Sequence, residues 1–220
     1  TGDIQHKTFK DIVNLFNDGD VLVLNNTQVF SARLFAHKDK SDAKVEVFLL
    51  RNLNVYDADD EGDSESHTRE PLGGTGGDLW EAMVKPARKV RIGNKLIFNK
   101  HISCDVIDNT VSGGRVLRFE YKNENLNKFI DKYGKSPLPP YIKRDSIPSD
   151  KKNYQTVYAT ERGSVAAPTA GIHFSKALIN KIEKKGVKIV YVTLHIGLGT
   201  FRPILVEDLT RHHMDSEQYS

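Results

Sequence analysis

Three ionisable side chains offer this 220-residue chain its chemistry: His173, His195 and Glu217. An imidazole titrates near neutrality and carries a proton in either direction. A carboxylate shielded from water acquires a pKa in the same useful range. Each histidine stands in a run of small residues, His173 in 163–174 (GSVAAPTAGIHF) and His195 in 194–203 (LHIGLGTFRP). Gly163, Ala167 and Gly171 in the first run, with Gly197 and Gly199 in the second, remove side-chain bulk, so that backbone N–H groups can approach a ligand. Thr169 and Thr200 add hydroxyls, and Pro168 and Phe201 complete the two loops. That composition suits a nucleotide-sized pocket. Each histidine is equally compatible with a structural role, its ring bonded to a backbone carbonyl, and Glu217 with a solvated terminal carboxylate.

Other chemistries find less support. There is no P-loop, HExxH helix or zinc-deaminase signature, and residues 197–200 (GLGT) lack the third glycine of a dinucleotide fingerprint. Adjacent His212 and His213 diverge on any regular element, which argues against a two-histidine metal site, and no metal is expected. Cys104 is the only cysteine. It can form no intrachain disulfide, reads as an inert buried thiol and fits a cytoplasmic compartment. No apolar run approaches the length of a bilayer span, so no membrane partner is expected. The formal charge of +3 conceals an asymmetry, because residues 57–70 hold seven acids against Arg69 alone. The rest of the chain is correspondingly basic and suited to a polyanion such as RNA. Lys85, Arg88, Lys89 and Arg91 flank a β-prone segment where they can meet phosphates or merely solvate an edge.

The elements that must position these residues follow from periodicity. Apolar residues at Phe9, Ile12, Val13, Leu15 and Phe16 predict a helix stopped by Asn17 to Asp20. Residues 21–24 then read as a buried strand. Short β-prone runs at 29–37, 44–50, 79–85, 95–98, 101–107 and 116–121 predict a barrel or sandwich, interrupted by an acidic, glycine-bearing excursion over 54–78. Leu126, Phe129 and Ile130 mark a helix ending at Gly134. The proline-rich stretch 137–142 makes an extended connector that can present Tyr141. Ser175 is suited to cap a helix running to Lys185 with Gly186 as its stop, and residues 187–194 read as a second buried strand. Residues 165–167, the loop, this helix and this strand then form a βαβ crossover, with both glycine-bearing loops beyond strand carboxyl ends, where open α/β sheets bind ligands.

The chain resembles the S-adenosylmethionine:tRNA ribosyltransferase-isomerases of queuosine biosynthesis. The resemblance lies in residues 23–29 (VLNNTQV) with 32–34, 80–93, 139–142 (PPYI), 154–159, 163–174, 194–203 and 214–219, in family order along nearly the whole chain. It implies an α/β domain interrupted by an inserted β-barrel: residues 1–29 and 121–220 form the α/β parts, with a mixed sheet and the βαβ crossover, and residues 30–120 the barrel. It further implies an enzyme, with no resident cofactor, that consumes S-adenosylmethionine as ribosyl donor; a monomer is expected. The acceptor is 7-aminomethyl-7-deazaguanine at the wobble position of a tRNA, the product epoxyqueuosine, and adenine and methionine are released. By position the two small-residue loops hold the donor, His173, His195 and Glu217 are the proton-transfer candidates, and Arg33, Lys85, Arg88, Lys143 and Arg144 contact phosphates. Tyr141 or Tyr158 is placed to stack on an extruded base. The sequence departs from the family pattern at Asn26, Gln28, Ser31, Asp215 and Gln218. The alternative reading is a truncated or catalytically weakened relative that binds tRNA or nucleotide without turnover.

Overall fold

The computed structural model describes residues 2, 4–54, 77–122, 125–139, 141–201, 206–211 and 217–220. The acidic stretch 57–70, Gly73, Gly74 and Gly76, His212, His213 and Asp215, together with the Phe201 side chain, lie outside the described residues. The strands are β1 (Val21–Asn25), β2 (Thr27–Val29), β3 (Arg33–Lys38), β4 (Lys44–Asn52), β5 (Leu79–Lys85), β6 (Lys95–Ile97), β7 (Ile102–Asn109) and β8 (Arg115–Tyr121). Helices α1 (Leu126–Tyr133) and α2 (Asp150–Asn153) come next, then β9 (Glu161–Ser164), α3 (Lys176–Glu183), β10 (Lys188–Val192), β11 (Leu194–His195) and β12 (Gln218–Tyr219). The chain divides into two compact units, residues 31–135 and residues 1–30 with 136–220.

The unit of residues 31–135 is a closed antiparallel barrel in the order β3-β4-β5-β8-β7-β6, with β6 returning to β3. Alternation along each strand explains it. On β4, Val45, Val47 and Leu49 point inward and are essentially fully buried, as are Ala82 on β5, Cys104 and Val106 on β7, and Leu117 and Phe119 on β8. The Cys104 thiol is buried, and burial pushes its pKa far up, so it stays a thiol at neutral pH. Helix α1 begins at Asn125, whose side chain accepts from Lys128 N, and packs through Phe129 edge-on against Phe98, which stacks on Phe119. The barrel thus carries its own core.

The other unit is built on two parallel strand pairs, β1 with β10 and β2 with β9, and an antiparallel pair, β11 with β12. Its core gathers Leu24, Phe174, Leu178, Ile179, Ile182 and Val187, with Phe9, Ile12, Val13 and Phe16 packed against them. The segment Phe9–Leu15 is a 3-10 helix, not the α-helix that its spacing suggests. It has only seven residues, two of them β-branched, and the Asp11 carboxylate accepts from both the N–H and the hydroxyl of Thr8 across its first turn, so packing and capping hold it more than propensity does. α3 starts as expected on Ser175, whose hydroxyl accepts from Leu178 N at 3.2 Å. Its last turn tightens, Lys185 N bonding Ile182 O and Gly186 N bonding Glu183 O, so the left-handed residue Gly186, at φ 89°, falls two places after the cap Lys184.

Strands β1 and β10 are not buried on both faces as their apolar runs suggest. Leu24 is buried against the core, whereas Val21 and Val23 are more than half exposed, and Tyr191 and Val192 are nearly so. An apolar run encodes a strand, but the number of faces covered depends on what packs there. Among the described residues, α3 and the Phe9–Leu15 turn pack against the core-facing side.

Candidate functional site

One residue, Asn26, separates β1 from β2, and one, Thr193, separates β10 from β11. At these junctions the side chains after the apolar run of β1 hold the chain leading to His195. Asn25 Nδ2 donates to Leu194 O at 2.9 Å, and Leu194 N donates back to Asn25 Oδ1 at 3.1 Å. Thr193 Oγ1 donates to Asn26 Oδ1 at 2.8 Å. Thr27 Oγ1 lies 2.7 Å from His195 Nδ1. Next, Ile196 N donates to Ser164 Oγ at 2.9 Å, and Gly197 N donates to Glu217 Oε2 at 2.7 Å. Residues 193–197 are therefore each held by a different side chain. Side chains so pinned present a fixed geometry, which a proton-transfer site requires.

His195 is half-buried, and burial lowers its pKa below the ordinary histidine value, with the charge of Glu161 opposing the shift. Its ring lies on Gly163, where an added Cβ would stand 2.6 Å from the imidazole. Similarly, a Cβ on Gly197 would come within 3.0 Å of Glu217 Oε2, and one on Gly171 would collide with the Tyr158 hydroxyl. These glycines open space, but the space is taken by the protein's own His195, Glu217 and Tyr158. Backbone freedom for a ligand, the reason inferred from composition, is not what the close approaches at these three positions serve.

The structure brings His195, Glu217, Gly163 and Gly197 together. His173 is placed elsewhere: it is exposed at the end of the 3-10 turn Thr169–His173, its ring 5.1 Å from that of Phe9. Ala167 and Pro168 are half-buried, Thr169 and Thr200 are exposed, and Gly199 lies in the 3-10 turn Leu198–Phe201. A cleft of about 420 Å³ opens beside α3, lined by Asn26, Tyr158, Lys176, Asn180, Glu183 and Tyr191 among others. It is large enough for a small ligand. Among the described residues, Tyr158 is the one candidate site residue in its lining; its ring packs 6.0 Å from Tyr191 and 6.4 Å from Phe174, and burial raises the Tyr158 pKa.

Two of the candidate phosphate ligands are engaged within the protein. Arg33 forms a two-pronged pair with Glu46 at 2.8 and 2.9 Å. Arg144 does the same with Asp150 at 2.7 and 2.8 Å, and the Asp150 carboxylate, only 2% exposed, also accepts from Ile147 N. Those contacts, Arg144 first, hold the Asp150 pKa down to about 2. Lys85 and Arg88 are exposed on the barrel unit, and Lys143 and Tyr141 on the other unit. Sequence reasoning did not single out Asn25, Thr27 or Ser164 as site residues, nor Gln155, which grips Val29 through both its backbone N–H and C=O. A signal existed: an uninterrupted polar run, residues 25–28, directly after a four-residue apolar strand run.

Fold and site together define a mixed α/β protein whose β1–β2 junction holds a half-buried histidine, with a closed barrel formed by the intervening residues 31–135. All of residues 1–220 match the family model of the queuosine biosynthesis protein, and the chain belongs to that family. It is 50% identical over 221 residues to the S-adenosylmethionine:tRNA ribosyltransferase-isomerase of Flavobacterium psychrophilum, covering 99% of this chain and 58% of that protein. To the protein of the same name from Cytophaga hutchinsonii it is 49% identical, covering 100% and 58%, and to that of Finegoldia magna 42%, covering 100% and 56%. The chain thus spans somewhat under three-fifths of the length of these relatives. A crystal structure of S-adenosylmethionine tRNA ribosyltransferase from Thermotoga maritima is 25% identical, with a TM-score of 0.33 over 89% of this chain and 47% of that one.

Proposed function

We propose that this chain is the part of an S-adenosylmethionine:tRNA ribosyltransferase-isomerase that carries its proton-transfer site. The observation that supports it most is identity of 42–50% to proteins of that name along the entire chain. In this reading S-adenosylmethionine is consumed as ribosyl donor, no resident cofactor is used, and the acceptor is the aminomethyl group of 7-aminomethyl-7-deazaguanine at the tRNA wobble position. The protein works in the cytoplasm as a monomer. The sulfonium of the donor acidifies the neighbouring C5′ hydrogens, so the protein's tasks are to remove a proton, orient the amine and exclude water. His195 takes the proton. Its lowered pKa keeps it neutral, and so able to accept, at physiological pH.

Glu217 shapes the Gly197 loop by accepting its N–H, and the loops 163–174 and 197–201 flank the donor. His173, exposed against Phe9, is assigned to the periphery of the site. Lys85, Arg88 and Lys143 meet phosphates, since Arg33 and Arg144 are already paired, and the exposed Tyr141 is better placed than the packed Tyr158 to stack on a base. The crossover expected from residues 165–167 through α3 is taken to start instead at β9 (Glu161–Ser164), because residues 165–167 form no strand; β9 and β10 lie in separate two-stranded sheets, each parallel to one of the consecutive strands β2 and β1. Incubating the protein with S-adenosylmethionine and precursor tRNA should release adenine in step with tRNA-bound epoxyqueuosine, both read by mass spectrometry. Absence of both products from a folded protein that binds the tRNA overturns the assignment.

A further inference from the structure

Thr27 is completely buried, and two partners lie within reach of its hydroxyl: the Glu161 carbonyl oxygen at 3.5 Å and His195 Nδ1 at 2.7 Å. A carbonyl oxygen accepts only, whereas Nδ1 donates or accepts according to tautomer. A hydroxyl has a single hydrogen. If Thr27 donated to Nδ1, the Glu161 contact would receive no proton. If it donates to Glu161 O, then Nδ1 carries the hydrogen and donates to Thr27 Oγ1, and both contacts become hydrogen bonds. Only this arrangement satisfies both.

We infer that Thr27 is a positioning residue for His195: it holds the imidazole as the Nδ1–H tautomer and leaves the Nε2 lone pair as the proton-accepting atom. The order is Glu161 C=O, Thr27 O–H, His195 Nδ1–H. Several independent contacts fix this geometry. Asn25 sets the register of Leu194, Asn26 that of Thr193, and the missing side chain of Gly163 gives the ring a flat surface on the opposite element. A histidine orients its working nitrogen through the hydrogen bond made by the other one. Here the partner is a hydroxyl backed by a main-chain carbonyl.

The inference rests on the reading of His195 as proton acceptor, yet its test does not depend on turnover. In protein labelled with ¹⁵N at histidine, with His195 assigned through the signal lost in His195→Gln, the wild-type ring at neutral pH should give the nitrogen pattern of the Nδ1–H tautomer. Thr27→Ser should preserve that pattern, and Thr27→Val, close in shape but without a hydroxyl, should lose it. In turnover, Thr27→Val should lower kcat at least tenfold with the KM for S-adenosylmethionine within about twofold, and Thr27→Ser should restore most of the rate. An Nε2–H pattern in wild type, or a Thr27→Val spectrum identical to wild type, overturns the inference. Should Thr27→Val fail to fold, the wild-type and Thr27→Ser spectra decide it alone. If the tautomer follows Thr27 while no enzyme form releases adenine, the positioning role stands and the transferase reading falls.

Discussion

At the scale of single residues, the site holds a half-buried imidazole two residues before Gly197, whose N–H engages the Glu217 carboxylate. Glu217→Gln retains a side-chain oxygen able to accept from Gly197 N, whereas Glu217→Ala removes it. If Glu217 shapes the loop, Gln should cost less than about threefold in kcat/KM and Ala more than about tenfold. A loss of about 10²-fold or more in the Gln variant would instead place Glu217 in proton transfer, since that is the usual worth of a general acid or base. Asp150 and His195 are two of the groups that make stability depend on pH. The folded-state pKa of Asp150 is depressed to about 2 from 3.8, so its stabilisation is complete above the unfolded value and disappears as pH falls toward 2. The pKa of His195 is also depressed, so the unfolded chain binds more protons just below pH 6.5 and stability rises with pH there. Denaturant midpoints measured from pH 7 to 2 should fall on acidification, and Asp150→Asn should flatten the fall between pH 4 and 2 while lowering the midpoint at pH 7.

At the scale of elements, the strands and helices are held by different means. The barrel strands alternate apart from the register shifts at 49–51 and 106–108, their inward residues are buried, and Leu117→Ala should cost about 2–5 kcal/mol. Helix α3 has eight residues and little stability of its own. It depends on its cap and on Leu178, Ile179 and Ile182. Ser175→Ala removes the acceptor for Leu178 N and should cost about 1 kcal/mol, seen as a lower midpoint in thermal or denaturant unfolding. No change would mean that packing alone sets the helix start. Elements were the most legible level of the sequence. Short, closely spaced β-prone runs showed the barrel strands, and a serine followed by a 3.6-period apolar stripe showed α3. The same reasoning overestimated the burial of β1 and β10, because a run such as residues 21–24 states affinity for a core without stating whether both faces reach one.

At the scale of the whole molecule, a chain that returns to its first unit after building a barrel brings distant residues together. The basic excess outside residues 57–70 is shared by both units, with Lys85 and Arg88 exposed on one and Lys143 on the other. If these side chains meet tRNA phosphates, log affinity should fall linearly with log salt, and each single change to alanine should reduce the slope by roughly 0.7–1 while weakening cognate and non-cognate tRNAs alike. A salt slope untouched by all three changes would remove them from the interface.

By itself the sequence determined the barrel strands, the capped helix α3, the family and the small-residue loops around His195, because these depend on local pattern: period, turn residues and the order of motifs. Tertiary structure alone decided that Thr27 meets His195, 168 residues away, and that Asn25 grips Leu194 across 169. It alone showed that Gly163 makes room for an imidazole and Gly197 for a carboxylate. It also separated His173 from this cluster and took Arg33 and Arg144 into ion pairs. The contacts of Thr27 and Asn25 arise from the register of β1 with β10 and β2 with β9, and that of Gly197 with Glu217 follows the pairing of β11 with β12. Strand register is a property of two segments brought together, and neither segment contains it alone.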